Sequence, residues 1–320
     1  MLGGTGFLGR HIVDEAVRQK CDITLLNRGK TNPGLYPELR HIKCDRRSGI
    51  ELPKEEKWDA VIDTSAYFPA DIRKAMKVLK KRCGHYTLIS SVSVYADAFA
   101  KSVNERSPLV PHVKVDTSSV THENYGALKV LCEEELAGSF PGKALIIRPG
   151  LIVGPHDPSD RFTYWPMRIK RCDRVLFPQN GRTAFQIIDA RDIARFILKN
   201  AAAGTAGTFN AAGPQNGILM RTLFNTCVDA LNTECEPVNA SADFLEKNAV
   251  SQWNDLPLWI KDCRENISAE RAVKKDLTFT ALKKTVIDTY EWRRTVKAPL
   301  RFGMKRRKEL ALIEKLQMKS

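Results

Sequence analysis

The chain has 320 residues, 43% of them hydrophobic, which is enough to bury one large core or the cores of two unequal lobes. No apolar run approaches the roughly 18 residues of a membrane-spanning helix, and no secretory leader pattern is present, so we expect a cytoplasmic protein without a membrane partner. The formal net charge is +14, and the eight cysteines include no Cys-x-x-Cys pair, which indicates reduced thiols and no metal site.

The first structural signal is a turn in which glycine recurs at every third position, in the stretch Gly3-Gly4-Thr5-Gly6-Phe7-Leu8-Gly9. Glycines at this spacing let the backbone turn tightly, let a pyrophosphate approach main-chain N–H groups and let the next helix pack on its strand. Apolar residues on one side predict that helix over 7–20, and a buried strand follows over 22–27. The turn therefore predicts a dinucleotide site, with a flexible N-terminal segment as the alternative interpretation.

A phosphate-binding turn of this kind should follow a central parallel strand of about five apolar residues. Only Met1 and Leu2 precede it. We therefore expect either that the natural chain starts upstream of Met1 or that the first strand is missing from this chain.

Further strands and helices alternate along the next part of the chain. Strands are predicted over 41–44, 59–63, 85–90 and 144–148, and helices over 69–81 and 125–138. This alternation is typical of an α/β protein with a doubly wound parallel sheet. Beyond residue 150 the periodicity weakens, although 184–188 and 207–211 still resemble strands. We expect a dinucleotide-binding domain over 1–150, joined by 184–213, a smaller C-terminal substrate lobe over 151–183 and 214–292, and a basic tail over 293–320.

The residues most suited to chemistry lie where one predicted strand ends and a later helix begins. Ser91 follows the strand 85–90, while Tyr125 and Lys129 stand four apart at the start of the helix 125–138. This spacing places both side chains on one helix face, where the ammonium would stabilise the phenolate and lower the tyrosine pKa from about 10 towards neutrality. Such a tyrosine exchanges protons, and Ser91 would bind the reacting oxygen. A Tyr-x-x-x-Lys pair without function on a helix surface is the alternative.

Together these motifs resemble the extended short-chain dehydrogenase/reductase superfamily, and more closely its NAD-dependent epimerase/dehydratase branch, over about residues 1–292. The resemblance rests on the glycine turn, Ser91, the Tyr125 and Lys129 pair, and the segment Arg148-Pro149-Gly150-Leu151-Ile152-Val153-Gly154-Pro155. It implies a Rossmann fold in which Tyr125 exchanges the proton, Lys129 also holds the nicotinamide ribose, and Ser91 binds the reacting hydroxyl or carbonyl. Ser93 is a weaker candidate for this serine.

The end of the second predicted strand bears on the choice of cofactor. A carboxylate there would accept hydrogen bonds from the adenosine ribose of NAD, but the chain has Asn27 followed by Arg28. A guanidinium matches a 2′-phosphate, so we expect NADP in preference to NAD, with stacking of Arg28 on adenine as the alternative. Asp45 resembles the family residue that contacts the adenine amino group, an exposed loop carboxylate being the alternative. Ser65 and Pro149 complete the expected cofactor contacts.

The absence of one pair of residues limits the reaction types that we expect for this chain. Sugar-nucleotide dehydratases of the family follow their Ser or Thr with an Asp-Glu pair that eliminates water, whereas this chain has Val92-Ser93. We therefore expect epimerisation or simple redox chemistry on a small hydroxyl, carbonyl or sugar-nucleotide substrate. In each case a hydride moves to or from nicotinamide while Tyr125 moves the proton.

Charged residues beyond residue 150 have two interpretations each. The loop after the last predicted strand of the first domain contains His156, Asp157 and Arg161. These side chains would bind a substrate phosphate or carboxylate, or they are solvated turn residues. Asp189 and Asp192 resemble an acid pair, but we expect them to cap a helix over 193–199.

Positive charge is concentrated at the end of the chain. Residues 293–320 contain ten Lys or Arg against two Glu, and the densest run is Lys305-Arg306-Arg307-Lys308. This tail would contact nucleic acid or an acidic surface, or else form a solvated terminal helix with one apolar face, made of Leu310, Leu312, Ile313 and Leu316. We expect the second arrangement, and hence that removing the residues after Lys297 leaves catalysis intact.

Two other functions use the same fold. Chloroplast stem-loop RNA-binding proteins resemble this chain in the Arg-Gly-Lys that follows the second strand, but they lack the tyrosine that this chain keeps with Ser91 and Lys129. A regulator that senses NADP without turnover is the third candidate. We expect the enzyme, with a small-molecule substrate and the homodimeric state that is common in the family, and with nucleic acid bound, if at all, through the basic tail.

Overall fold

The structure is a computed structural model that describes residues 1–53, 56–97, 102–263 and 266–318. Its strands are β1 (Thr24–Asn27), β2 (Arg40–Lys43), β3 (Trp58–Asp63), β4 (Cys83–Ile89), β5 (Ser102–Val103), β6 (Ala144–Pro149), β7 (Leu151–Val153), β8 (Arg174–Pro178), β9 (Ala184–Phe185), β10 (Ile187–Asp189), β11 (Gly207–Ala211), β12 (Ile218–Leu219), β13 (Glu236–Ala240) and β14 (Asn266–Ile267). Its helices are α1 (Phe7–Arg18), α2 (Pro69–Leu79), α3 (Tyr125–Ser139), α4 (Tyr164–Arg171), α5 (Ala190–Ala202), α6 (Met220–Leu231), α7 (Ala242–Lys247), α8 (Glu270–Val273), α9 (Leu282–Arg294) and α10 (Arg306–Gln317). None of these described helices is both long and apolar enough to cross a membrane.

The central sheet is parallel and places β3, β4, β6 and β11 side by side. β1 and β2 form a second parallel pair, and Leu2 joins the two groups because it pairs with Leu26 of β1 and with Asp63 of β3. The Leu2 N–H donates to the Ile62 carbonyl at 2.8 Å, and the Gly3 N–H donates to the Leu26 carbonyl at 2.9 Å. Residues 1–3 thus take the central place in the order β2, β1, residues 1–3, β3, β4, β6, β11.

Helices cover both faces of this sheet, which confirms the α/β, doubly wound fold class. α1 and α5 pack on one face, where Ile12 and Phe196 share a buried core with Leu145 and Ile147 of β6. α2 and α3 pack on the other face, in a core that includes Ile146 of the same strand. Successive residues of β6 therefore serve opposite cores, as the two-residue period of a strand requires when both faces are buried.

The observed elements of this domain lie close to their predicted bounds, except for the strand expected over 184–188. That segment is divided into β9, which pairs antiparallel with β12, and β10, which pairs parallel with β7. Gln186 lies between them and is fully buried, and its side-chain oxygen accepts a hydrogen bond from the Ile267 N–H at 2.7 Å. The pattern of apolar residues could not reveal this break, because each half is as apolar as a continuous strand.

A second core, rich in aromatic side chains, fills the C-terminal lobe. Trp165, Phe177 and Trp259 are fully buried in it, and the Trp165 indole N–H donates to the Pro257 carbonyl at 2.8 Å. α4, α6 and α9 pack against one another around this core. It supports the loop that leads from β7 to α4, which is the loop with the charged residues noted in the sequence.

The basic C-terminal segment packs into this second core and does not form a separate solvated helix. Leu312 and Ile313 of α10 are buried there. The fully buried Glu309 carboxylate accepts hydrogen bonds from Arg168 and Arg306, each at 2.8 Å, and from the Leu176 N–H at 3.1 Å. The excess of Lys and Arg in the sequence concealed this arrangement, because it depends on a single buried carboxylate that binds Arg168 of α4 and Arg306 at the start of α10.

Candidate functional site

The glycine turn has a backbone that only glycine adopts without strain. Gly3 and Gly4 have φ angles of +98° and +101°. A Cβ atom at Gly3 would lie 2.4 Å from Thr64 Oγ1, and one at Gly9 would lie 3.0 Å from the Gly4 backbone. The spacing of the three glycines therefore reflects two close approaches, one to the end of β3 and one between α1 and the turn.

The turn presents the N-terminus of α1 to open space. Gly6 precedes the helix in an extended conformation, no side chain caps the helix, and a Cβ atom at Gly6 would meet no atom within 4 Å. The first N–H groups of α1 are consequently available to a ligand, and the helix dipole favours an anion there. The Thr5 carbonyl is fixed by the Asn32 side-chain amide, which donates to it at 2.8 Å. These features fit the pyrophosphate of a dinucleotide.

A cleft of about 350 Å³ lies in front of the turn. Seven residues expected at the cofactor line it, namely Gly3, Thr5, Gly6, Asn27, Arg28, Asp45 and Ser65. Others that the sequence analysis did not select also line it, among them Gly4, Lys30, Arg46, Arg47, Thr64 and Tyr67. Five other residues expected at the cofactor lie outside this lining, namely Phe7, Leu8, Gly9, Lys129 and Pro149.

The end of β1 places positive charge at the cleft. The Asn27 side chain is used internally, because its amide donates to the Gly3 carbonyl at 3.0 Å and its oxygen accepts from the Gly29 N–H at 2.9 Å. Arg28 and Lys30 beside it are exposed. The Asp45 carboxylate at the end of β2 accepts a hydrogen bond from the Arg47 N–H at 3.0 Å. An anionic group on the adenosine half of a dinucleotide would therefore meet two exposed cations.

A buried ionic network forms the floor of the cleft. The Asp63 carboxylate accepts hydrogen bonds from Arg46 at 2.8 Å, the Tyr86 hydroxyl at 2.7 Å and the Ser65 N–H at 2.9 Å. Burial alone would raise the pKa of Asp63, but Arg46 and these hydrogen bonds hold it below its usual value. Ser65 is thereby turned towards Asp63, while Arg46 Nη1 remains a buried donor without a hydrogen-bond partner.

The predicted catalytic serine and tyrosine meet where α3 packs against the segment after β4. Ser91 caps the 3₁₀ turn Val92–Val94, and its hydroxyl accepts from the Ser93 N–H and donates to Ser93 Oγ, both at 3.1 Å. Tyr125 is the first residue of α3, and a Cβ atom at Gly126 would lie 2.1 Å from the Ser93 carbonyl oxygen. Glycine at 126 thus allows the contact that brings Tyr125 to Ser91.

Lys129 lies beneath the tyrosine and is buried, with 4% of its surface exposed. Its ammonium donates to the Ala66 carbonyl at 2.7 Å and to the Ile89 carbonyl at 2.8 Å. The Lys129 nitrogen is 4.9 Å from the ring centroid of Tyr67 and 6.0 Å from that of Tyr125. Tyr125 and Lys129 therefore lie on one face of α3, as their four-residue spacing predicts. The ammonium is held by carbonyl groups at the ends of β3 and β4.

The expected effect of Lys129 on the tyrosine pKa was wrong for this state of the protein. Burial, with a smaller contribution from the nearby Tyr67 phenol, raises the pKa of Tyr125 to about 12, although a hydrogen bond with the Ser91 hydroxyl opposes the rise. The physical reason is that burial of the phenol dominates this pKa, whereas the Lys129 ammonium donates to two backbone carbonyls and lies 6.0 Å from the Tyr125 ring centroid. Tyr125 is consequently a protonated acid at neutral pH in this structure.

Tyr67 is one of the site residues that the sequence analysis missed, and it lies beside the candidate catalytic pair. It lines the cofactor cleft, and its ring centroid lies 6.4 Å from that of Tyr125. Asp71 of α2 fixes the backbone at this point, because its carboxylate accepts from the Tyr67 N–H at 3.0 Å and the Phe68 N–H at 3.1 Å. The only sequence signal was position, since Tyr67 stands just beyond the end of a strand, where ligands of parallel sheets bind.

The charged residues that the sequence suggested beyond residue 150 lie at two places, the start of α5 and the loop after β7. Asp189 caps α5 by accepting from the Arg191 N–H at 2.9 Å, which confirms the capping interpretation for this residue. Asp192 lies inside the first turn of α5 and accepts from the Thr280 N–H at 2.8 Å, so the expectation that it caps the helix was wrong. His156 lies in the loop after β7, and its Nδ1 is 3.2 Å from a guanidinium nitrogen of Arg10 on α1. This loop therefore contacts the helix that begins at the glycine turn.

Solved structures resemble the chain over almost its whole length. A putative epimerase from Burkholderia cenocepacia aligns with a TM-score of 0.68 at 17% identity, covering 92% of this chain and 97% of that one. The enzyme WbmH from Bordetella bronchiseptica, solved in complex with NAD+, aligns with a TM-score of 0.67 at 17% identity, covering 93% and 98%. At such identities the likeness establishes the fold, a Rossmann-like α/β sheet with flanking helices.

Sequence comparison places the chain in a family. An Arabidopsis thaliana relative, the chloroplast stem-loop binding protein of 41 kDa b, is 24% identical over 214 residues, which are 62% of this chain and 53% of the relative. The chain thus spans about half the length of this relative. The model of the NAD dependent epimerase/dehydratase family matches residues 1–212, which include the glycine turn, Ser91, Tyr125 and Lys129. The chain therefore belongs to the NAD-dependent epimerase/dehydratase family.

Proposed function

We propose that this protein is an NAD(P)-dependent oxidoreductase or epimerase that interconverts a hydroxyl and a carbonyl group on a small molecule or sugar nucleotide. The observation that carries the proposal is the convergence of Ser91, Tyr125 and Lys129 next to a cleft suited to a dinucleotide. Tyr67 lies between the cleft and the catalytic candidates, because it lines the cleft and its ring lies 6.4 Å from the ring of Tyr125.

The cleft would hold a nicotinamide dinucleotide, which would supply hydride-transfer chemistry. The Ser91 hydroxyl holds the substrate oxygen, and the Tyr125 phenol gives that oxygen a proton or removes one. Since Tyr125 is protonated in this structure, it is prepared to donate its proton to a carbonyl oxygen, as reduction requires. The Lys129 ammonium, fixed by two carbonyls, supplies positive charge that stabilises the phenolate left after the transfer.

The substitution Tyr125→Phe tests the acid/base assignment. It removes the phenol oxygen and keeps the ring, so we expect turnover to fall by at least about a hundredfold while cofactor affinity changes little. The measurement is steady-state turnover on a panel of carbonyl and sugar-nucleotide substrates, together with a cofactor titration. Undiminished turnover in this variant would exclude Tyr125 as the acid/base, and normal cofactor binding without turnover in the unaltered protein would favour the NADP-sensing regulator.

We also propose that the cofactor is NADP in preference to NAD. Arg28 and Lys30 line the cleft and are exposed, and Asn27 replaces the carboxylate that would repel a 2′-phosphate. We expect Arg28→Ala to weaken NADP binding by about tenfold and NAD binding much less, because one charge-assisted contact is lost only with the phosphate. Equal weakening of both cofactors, measured by titration, would indicate that Arg28 only stacks on adenine.

RNA binding is the second candidate function, favoured by the stem-loop binding relative and the net charge of +14. The same protein should then bind a labelled stem-loop RNA with an affinity that falls steeply with salt. Retention of Ser91, Tyr125 and Lys129 argues for the enzyme. RNA binding that survives Tyr125→Phe, together with no turnover of any substrate tested, would reverse the order of the two candidates.

A further inference from the structure

The loop between β7 and α4 contains a guanidinium in unusual surroundings. The Arg161 guanidinium carbon lies 4.0 Å from the ring centroid of Phe302 and 5.4 Å from that of Trp253. The two rings come from segments that are joined to each other, because the Gly303 N–H donates to the Asn254 carbonyl at 2.8 Å. Arg161 is thus held in an aromatic niche, which we define as Arg161, Trp253 and Phe302.

The guanidinium in this niche forms no side-chain hydrogen bond or ion pair with any residue that the structure describes. Arg161 Nε is buried without a partner, while the side chain as a whole is half-buried. The carboxylate that acts on it, Asp157, is occupied by Ser159, whose N–H and hydroxyl donate to it at 2.8 and 2.9 Å. Arginine has five donors in a rigid fork, and here all of them are unused.

The surroundings add positive charge. Arg301 shares the Phe302 ring, with its guanidinium carbon 5.8 Å from the ring centroid, and its charge also acts on Arg161. Two neighbouring guanidinium groups repel each other; the Asp157 carboxylate offsets this repulsion at Arg161, and an anion bound by Arg161 would stabilise the pair further. Stacking on the rings keeps the Arg161 fork flat and oriented, which favours two parallel hydrogen bonds to a carboxylate or phosphate.

We propose that the aromatic niche holds Arg161 as a binding residue for an oxyanion of the substrate, either a phosphate ester or a carboxylate. The proposal rests on the proposed function for the identity of the ligand as substrate. The position of the loop supports it, because His156 of the same loop contacts Arg10 on α1 and packs on Trp292 of α9, at a ring distance of 5.1 Å. A ligand at Arg161 would therefore bind to a loop that contacts both α1 and α9.

The experiment is calorimetric titration of the purified protein with inorganic phosphate and, separately, with malonate, at low ionic strength and without turnover. We expect Arg161→Gln to weaken binding of one of the two anions by about tenfold or more, and Arg161→Lys to weaken it less, because lysine keeps the charge but loses the fork. A phosphate preference would indicate a phosphorylated substrate, and a malonate preference would indicate a carboxylate substrate.

Arg271 provides the matched control. It also stacks on an aromatic ring, with its guanidinium carbon 4.7 Å from the Phe209 centroid, but it is exposed on α8. Arg271→Gln should leave both titrations unchanged, and anion bound at the glycine turn contributes equally to every variant. Unfolding midpoints identify any variant that is merely unstable. If Arg161→Gln is unstable, anion binding by Arg161→Lys tests the proposal.

Titrations in which Arg161→Gln and Arg161→Lys both bind the two anions like the unaltered protein, or in which no anion binding depends on Arg161, would overturn the proposal. The result is independent of the proposed chemistry, because Tyr125→Phe should bind the anion normally even if the enzyme assignment fails. If Tyr125→Phe loses turnover but neither substitution of Arg161 changes anion binding, the enzyme assignment is supported and only the anion site is excluded.

Discussion

Lys129 shows how single contacts set the chemistry of the site. Its ammonium is desolvated, and burial lowers its pKa, yet two carbonyls and the ring of Tyr67 hold it beside Tyr125. A cation over an aromatic ring contributes about 0.5–2 kcal/mol, more when water is excluded. Tyr67 therefore acts on the site in two ways, through its ring on Lys129 and through its phenol on the pKa of Tyr125.

Two substitutions of Tyr67 separate these effects. Tyr67→Phe keeps the ring but removes a phenol that disfavours ionisation of Tyr125, so we expect the pKa of Tyr125 to fall and the alkaline limb of the pH profile of kcat/KM to shift to lower pH. Tyr67→Leu also removes the ring, and turnover should fall by about tenfold as Lys129 loses its cation–π contact. A pH profile and a turnover that match those of the unaltered protein in both variants would show that Tyr67 has neither role.

At the scale of the element, the start of α3 depends on one close approach. Gly126 lets the helix contact the Ser93 carbonyl, and the same contact places Tyr125 at Ser91. We expect Gly126→Ala to destabilise the protein by about 1–3 kcal/mol and to lower turnover, because the methyl group would have to displace backbone. Denaturant unfolding and turnover provide the two measurements.

Gly138 in the same helix is the control for this prediction. A Cβ atom there would meet no atom within 4 Å, and the residue is exposed. Gly138→Ala should therefore be neutral or stabilise the protein by up to about 1 kcal/mol, since alanine has the higher helix propensity. If both substitutions had the same effect, helix propensity and not the contact with Ser93 would explain the result.

At the scale of the whole molecule, the C-terminal segment completes the second lobe. Removing the residues after Lys297 would take away the buried side chains of Met304, Leu312 and Ile313 and would leave Arg168 without Glu309. Each buried apolar side chain stabilises the fold by about 1.5–3 kcal/mol, so we expect a loss of several kcal/mol in the free energy of unfolding. The expectation from sequence, that this deletion leaves catalysis intact, stays a prediction that turnover of the same truncated protein tests.

Deletion after Gln317 is the comparison, because Met318 is 84% exposed and its removal should not change stability. The longer deletion also removes Phe302 and hence part of the aromatic niche around Arg161. Thermal or denaturant unfolding of the two truncated proteins measures the difference. Equal stability of the two truncated proteins would show that α10 does not stabilise the C-terminal lobe.

Much of the fold and part of the site could be predicted from the sequence, because their signals are local. The glycine turn needs glycine because of its φ angles and the close approaches around it. The spacing of apolar residues predicts helices and strands because each element buries one face. The four-residue spacing likewise places Tyr125 and Lys129 on one face of α3. Seven of the expected cofactor residues line the cleft for the same reason, since each stands at the end of a strand or in the turn itself.

The sequence by itself determined the alternating α/β architecture, the dinucleotide turn and the candidate catalytic residues, all of which depend on neighbours within a few positions of the chain. Only the tertiary structure decided that residues 1–3 take the central place in the sheet, that Glu309 holds α10 in the second lobe, and that Tyr67 lies against Lys129. It also reversed the direction of the Tyr125 pKa. The reason is that burial and charge act between residues far apart in the chain, and the distances between them are set only when the elements pack.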